Sequence, residues 1–212
     1  VDREDVEEGN FNRLGFTRTD IGKPKSEAVA RNVESLRNNE NIEEKFHLQM
    51  EAFKADIIGW RKLSSLIEEA DVVFSCLDNS ESRRELNFYV MKEKTPMIDG
   101  ATSRLGYGGT VITVQPHPEK PCYECLVGAS TGVNIDNVPR VGHCDASLAH
   151  TMAIIASLQI DQALKLLFGY GEVSPLLKVR MQKKTLLNRV NAKRRINCPV
   201  HKRFFSNETG AT

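Results

Sequence analysis

Apolar positions along the chain come in short runs separated by polar, glycine and proline punctuation, and their period alternates between helical and extended. Asp20 and Pro24 introduce a stretch with helical spacing that continues to about Arg37, where the polar run 38–41 ends it. Phe46, Leu48 and Met50 then alternate with polar residues, which predicts a half-buried strand over 45–51. A short helix is expected over 63–70. The β-branched apolar run 71–77 closes on Asp78-Asn79, the pattern of a buried strand with functional groups at its carboxyl end. A returning helix over 81–92, a strand over 96–99 and a longer alternating strand over 108–115 complete a βαβ-like series.

The second half reads differently. Residues 117–140 are loop-rich and marked by proline, and a long apolar helix over about 147–168 follows, closed by Gly169 and Gly171. The tail 178–203 carries ten Lys or Arg and no acid, with an alternation at Val179, Met181 and Leu186 that suggests strands with one wet face. These elements predict an α/β, Rossmann-like fold, a mainly parallel sheet flanked by helices, with a structural zinc region. The expected organisation is one domain over 1–212, with zinc-knuckle elements at 117–130 and 196–203 inside it.

Composition narrows the function classes. The 212 residues, 40% hydrophobic, are enough for a substantial core, and 29 basic against 28 acidic residues leave no overall field favouring nucleic acid or an anionic membrane. The basic tail lacks the aromatic interleaving that base stacking requires until Phe204-Phe205, so a solvated face, or one that guides an acidic partner, is the better reading. Gln159, Asp161, Gln162 and Lys165 interrupt the most apolar stretch, which argues for a buried helix rather than a membrane span. Five acidic residues among the first ten argue against a signal peptide, and a cytoplasmic location with neither nucleic-acid nor membrane partners is expected.

Five cysteines are an odd number in a chain too large to need disulfide staples, so their spacing is the informative part. Cys122-x-x-Cys125 and Cys198-Pro-Val-His201 form two knuckles with two-residue gaps, a Cys3His donor set suited to tetrahedral Zn2+. With all four positions filled by protein, such a centre is structural. Cys144, in Gly142-His143-Cys144-Asp145, directly precedes the long helix, whose positive end favours thiolate. The bland reading of that thiol is a small buried hydrophobe. Cys76, inside an apolar run, is expected in the core, and His47, His117 and His150 are expected to be structural.

A further constellation is Asp2-x-Glu4-x-Val6-x-x-x-Asn10-x-Asn12-Arg13, then Asp20-Ile-Gly-Lys-Pro-Lys25, then Ser75-Cys-Leu-Asp78-Asn79-x-x-x-Arg83. Singly, these residues are ordinary surface charges, turns or caps. Together and in this order the chain resembles the ThiF, MoeB and HesA superfamily, whose eukaryotic relatives activate ubiquitin-like proteins, over Asp2 to His201. The resemblance implies ATP-dependent adenylation of the C-terminal carboxylate of a ubiquitin-like or sulfur-carrier protein. It assigns the ATP ribose to Asp2, phosphate contacts to Arg13 and Lys25 with Asn10 in the same turn, and Mg2+ and the reacting centre to Asp78, supported by Asn79 and Arg83. Arg13, Asp78 and Cys144 are the implied catalytic residues.

The segment from Cys144 to Leu167 resembles the activating enzymes of the ubiquitin-fold modifier, which implies a thioester on Cys144. Adenylation of a sulfur carrier for cofactor biosynthesis, and a noncatalytic half of a split activating enzyme, remain open beside it. The family's Gly-rich phosphate loop belongs one helix and one strand ahead of Asp2 and is not in this sequence. Gly106-Tyr-Gly108-Gly109 precedes a strand and cannot replace it. The expectation is therefore that the true N-terminus is missing or that another chain supplies the loop, in a homodimer or heterodimer.

Overall fold

The computed structural model describes residues 1–12, 15–38, 43–103, 106–131 and 148–206, which form two compact units, Val1–Trp60 and Arg61–Thr212. The N-terminal unit is organised around helix α1, Lys25–Arg37. Pro24 sits at its N-cap with φ −54°, Glu27 lies in the first turn and Arg37 in the last, so both ends match the helix dipole. Ala28 and Ala30 are buried, and Val6 is packed at 1% exposure. The opening residues are tied down by bridges of Asp2 to Lys54 and Asp5 to Pro24.

The strand expected over 45–51 is absent. Glu44–Phe46 is a single 3-10 turn, and the backbone beyond it is satisfied by side chains of α1 and its C-cap. Asn38 Nδ2 donates to the Leu48 carbonyl and Asn38 Oδ1 accepts the Leu48 N–H, each at 2.7 Å, while Glu34 Oε1 accepts the Met50 N–H at 2.9 Å. A segment whose amide and carbonyl groups are already paired has no need of a sheet neighbour.

Asp20 is the polar centre of this unit. Its side chain is 1% exposed and accepts from Asn32 Nδ2 at 3.0 Å and from the Thr17 N–H and hydroxyl, each at 2.8 Å, with Arg31 paired against the other oxygen. The Asn32 and Thr17 hydrogen bonds hold its carboxyl down at about 2, against the opposing effect of burial. The ordinary value is about 3.9. The stabilisation is therefore fully present above about pH 4 and is lost as pH falls through 2, because the unfolded chain takes up the proton first. Asp20→Asn is expected to destabilise this unit at pH 7 and to flatten its acid sensitivity between pH 4 and 2. Fluorescence of Trp60, the single tryptophan, during urea unfolding reads both effects. Midpoints that fall in parallel for the two proteins would contradict the assignment.

The C-terminal unit is an α/β layer structure. Helix α2 (Leu63–Glu69) leads to β1 (Val73–Ser75), α3 (Ser80–Glu93), β2 (Met97–Thr102), β3 (Gly108–Val114) and α4 (Tyr123–Thr131). Then come α5 (Ala149–Phe168), β4 (Leu176–Arg180), β5 (Leu186–Val190) and α6 (Pro199–Phe205). The five strands lie in the order β1-β2-β3-β4-β5. The expected α/β class is observed, but the strand directions differ from a mainly parallel sheet. Only β1 and β2 are parallel, and the β2–β3, β3–β4 and β4–β5 pairs are antiparallel. The reason is connection length, since α3 gives β1 a crossover back to β2, whereas five residues between β2 and β3 or between β4 and β5 leave room only for a reversal.

Alternation along β2 assigns the two faces. Ile98 packs with Val111, Leu177 and Val179 against Ile155 and Ala163 of α5. Met97 and Asp99 point to the opposite side, where α3 and α4 pack. Burying each such aliphatic side chain stabilises by about 1.5–3 kcal/mol. Helix α5 is long and apolar enough to cross a membrane, yet it lies along the sheet with Thr151, Ile155, Gln159, Gln162 and Ala163 buried. It ends at Gly169, whose φ of 65° lets its N–H reach the Lys165 carbonyl at 3.1 Å. Two further helices stand where loops or strands were expected, α4 directly after Cys122 and α6 directly after Cys198.

Candidate functional site

The two cysteine pairs converge. Each stands at a helix start, so that i and i+3 side chains project from one turn on the same side. The Cys122 carbonyl accepts the N–H groups of Cys125 at 3.0 Å and Leu126 at 3.2 Å, and the Cys198 carbonyl accepts that of Lys202 at 3.1 Å, with Pro199 at the first helical position. The four ligand atoms all lie within 4.8 Å of one another. Cys122 Sγ is 3.8 Å from Cys125 Sγ and 3.6 Å from Cys198 Sγ, and Cys125 Sγ is 3.9 Å from His201 Nδ1. Disulfide bonds are about 2.05 Å long, so these are thiols. Sulfurs at tetrahedral corners about 2.3 Å from a common zinc would stand about 3.8 Å apart, which is the spacing found.

Supporting contacts agree with that geometry. The other imidazole nitrogen, Nε2, lies 2.8 Å from the Lys120 carbonyl, which leaves Nδ1 for the cluster, and the Arg195 N–H donates to Cys125 Sγ at 3.4 Å. Cys122 and Cys198 are fully buried and His201 is 2% exposed. The Cys122 thiol donates to Cys125, which pulls the Cys125 thiol down to about 3 and pushes Cys122 upward. Burial opposes charge on His201, but its contacts to Cys125, Cys198 and the Lys120 carbonyl bring it up to about 9.

The other predicted residues fall in two places. In the N-terminal unit, Asp2 and Lys25 line one cleft of about 250 Å³, whose apolar walls include Phe16, Val29 and Met50. Asp2 Oδ1 accepts the Glu4 N–H at 2.9 Å, and Lys25 pairs with the Glu4 carboxylate, so the Glu4 side chain holds the ammonium in place. Ser26, beside Lys25, also lines this cleft, and its buried hydroxyl has no partner among the described residues. Asn10 is 7% exposed and its Oδ1 accepts the Glu7 N–H at 2.9 Å, so this turn closes on its own side chain. Arg13 lies outside the described residues.

In the C-terminal unit, Asp78 and Asn79 follow β1 as expected. Asn79 is the N-cap of α3, accepting the Ser82 N–H at 2.8 Å, while its Nδ2 donates to Asp78 Oδ1 at 3.1 Å. The Asp78–Asn79 contact is solvent-exposed. Arg83 Nη2 donates to the Leu77 carbonyl and its Nε lies 3.2 Å from Asp99 Oδ1, with Asp99 only 1% exposed. Cys76, expected in the core, is exposed instead, because β1 ends at Ser75 and the next residue leaves the sheet. Cys144 lies outside the described residues. Sequence reasoning missed Ser26 and Asp99; nothing local marks either, since one is defined by a cleft and the other by pairing across the sheet.

Residues 1–200 match the ThiF family. The chain is 33% identical over 187 residues to ubiquitin-like modifier-activating enzyme 5 of Culex quinquefasciatus, covering 83% of this chain and 45% of that protein. It is 28% identical over 203 residues to the sulfur carrier protein ThiS adenylyltransferase of Escherichia coli, covering 94% of this chain and 74% of that one. Its fold is similar to that of E. coli MccB solved with ATP, with TM-score 0.69 and 17% identity over 94% of this chain and 57% of that chain. The chain thus spans about half the length of the activating enzymes it matches.

Proposed function

We propose, from the premise that this chain belongs to the ThiF family, that it takes part in ATP-dependent adenylation of the C-terminal carboxylate of a ubiquitin-like or sulfur-carrier protein. The observation that carries the reading is the cleft shared by Asp2 and Lys25, two residues far apart in sequence that nucleotide binding would need together. In the reaction a carboxylate oxygen of the carrier attacks the α-phosphorus, the bond to the bridging oxygen breaks, and pyrophosphate leaves. The enzyme supplies no nucleophile at this step; it aligns reactants and offsets charge.

Each residue has a role that suits its surroundings. The Asp2 carboxylate accepts hydrogen bonds from the ribose hydroxyls, and the Phe16, Val29 and Met50 walls shelter the base. Lys25, already oriented by Glu4, meets the phosphates, with Arg13 and Asn10 assigned to the same task. Asp78, a carboxylate steadied by Asn79, is a hard oxygen donor of the kind Mg2+ takes together with phosphate oxygens. That ion would neutralise charge on the phosphates. The Cys122, Cys125, Cys198 and His201 centre fits Zn2+ in a structural role, because protein fills all four positions. A homodimer, or a heterodimer whose other chain contributes a phosphate loop, belongs to this reading.

ATP–pyrophosphate exchange that depends on a carrier protein with a free C-terminal carboxylate tests the core of this reading; a folded sample, alone and with its partner chain, that shows no exchange with any such carrier would sink it. The similarity to ubiquitin-like modifier-activating enzyme 5 favours a second step in which the Cys144 thiolate attacks the acyl carbon and expels AMP, forming a thioester. A carrier adduct that thiol reductant releases is then expected on the wild type and not on Cys144→Ala. Equal transfer by both proteins favours sulfur-carrier adenylation, the reading supported by the E. coli ThiS relative.

A further inference from the structure

We infer that Asp99, acting through Arg83, is a positioning residue for the turn 77–79 and hence for the Asp78 carboxylate; the inference rests on the adenylation reading above. The parallel register of β1 and β2 places Ser75 opposite Asp99 on the face toward α3, and the Ser75 hydroxyl donates to Asp99 Oδ1 at 2.5 Å. Arg83, one turn into α3, brings Nε to 3.2 Å from the same carboxylate and extends Nη2 to the Leu77 carbonyl. A single rigid guanidinium therefore spans a buried anchor and the peptide group immediately before Asp78. On the far side Asn79 is fixed as the helix cap. Both backbone neighbours of Asp78 are held, and its carboxylate is left at the tip of the turn.

The anchor is itself braced from the opposite face. Gln159 of α5 donates through Nε2 to the Ile98 carbonyl at 3.0 Å and toward the Ser75 carbonyl at 3.3 Å. It reaches them because residue 100 is glycine, where a Cβ would stand 2.3 Å from Gln159 Oε1. Burial raises the Asp99 carboxyl above its ordinary range, with Arg83 and Ser75 working against that rise. A buried ion pair of this kind adds little stability over an apolar pair of the same volume. What Arg offers here is direction, since its planar guanidinium hydrogen-bonds the Leu77 carbonyl through Nη2 while its Nε faces Asp99 as a charge contact at 3.2 Å, without a hydrogen bond of its own.

Asp99→Asn keeps the shape and an acceptor for Ser75 but removes the charge that orients Arg83. Groups one layer behind a metal-binding carboxylate typically change metal affinity by about 10–100-fold. The expected result is a roughly tenfold rise in the Mg2+ concentration for half-maximal ATP–pyrophosphate exchange, with the half-saturating carrier concentration unchanged. Arg83→Lys should behave alike, and Asp99→Asn added to Asp78→Asn should cost nothing beyond Asp78→Asn alone. Hydrogen–deuterium exchange supplies a readout that needs no activity: amides of 77–79 should exchange faster in Asp99→Asn while those of β3 and β4 do not. Unchanged exchange at 77–79, or a full additional loss on the Asp78→Asn background, overturns the inference. If Asp99→Asn does not fold, Ser75→Ala, which removes one hydroxyl, is expected to shift the same two readouts in the same direction by less, and no shift overturns the inference. A wild type without pyrophosphate exchange sinks the adenylation reading, and the amide exchange then still decides whether Asp99 holds the turn.

Discussion

Chelation of the metal at Cys122, Cys125, Cys198 and His201 is expected to lower the melting temperature of the chain by roughly 10–20 °C, from a stability loss on the order of 5 kcal/mol. Structural zinc in small folded peptides contributes more than that in total, but this unit keeps a hydrophobic core of its own between the sheet and α5, so part of the fold survives. The loss is concentrated where both helix starts meet the metal. Without it α4 and α6 are held by weak thiol contacts, and the damage passes to α3 through Phe88, which packs on Phe204 at 5.1 Å and lies under the Arg203 guanidinium at 5.0 Å. Metal analysis should return one zinc per chain for the wild type and none for Cys122→Ser. Ligation requires ionised thiols and a neutral imidazole, so acid should release the metal. A preparation that carries no metal and melts identically with and without chelator would remove the centre from the account.

Asp78→Asn is expected to reduce ATP–pyrophosphate exchange by about 10²–10³, with little change in stability. The substitution keeps size and an oxygen able to accept from Asn79, so the α3 cap and the turn persist, and only the charge is lost. Since Asp78 stands at a turn outside the core, the melting temperature should move by no more than a surface substitution does. Excess Mg2+ should not restore the rate, which separates this variant from Asp99→Asn, where binding is weakened but the carboxylate remains. An exchange rate within about threefold of wild type would take Asp78 out of the reacting centre, because the charge effect invoked is far larger.

Much of this was legible because the informative residues act locally. Two-residue gaps between ligands demand nothing of the fold beyond a tight turn, so spacing and residue type alone were enough to recover the Cys3His set. Asp78-Asn79 was legible for the same reason, as a strand end running into a helix cap. Strand direction was not, since alternation over 108–115 looks the same in either direction, and only the five-residue connection before it forces the reversal. The apparent strand over 45–51 failed because Asn38 and Glu34 occupy its backbone groups, leaving Phe46 68% exposed. Helix α6 was overlooked within a basic tail read as strands, although Cys198-Pro199 carries the cap-then-proline signature. Asp99 was invisible because its partners Ser75 and Arg83 become neighbours only through the parallel register and the crossover helix.

The cysteine clasp also has a mechanical consequence. Cys122 and Cys198 are 76 positions apart, and α4, α5, β4 and β5 all lie between them. While a metal joins the two knuckles, tension on the chain ends passes across the clasp and leaves that entire loop slack. About 270 Å of contour length is thereby shielded until the coordination bonds rupture.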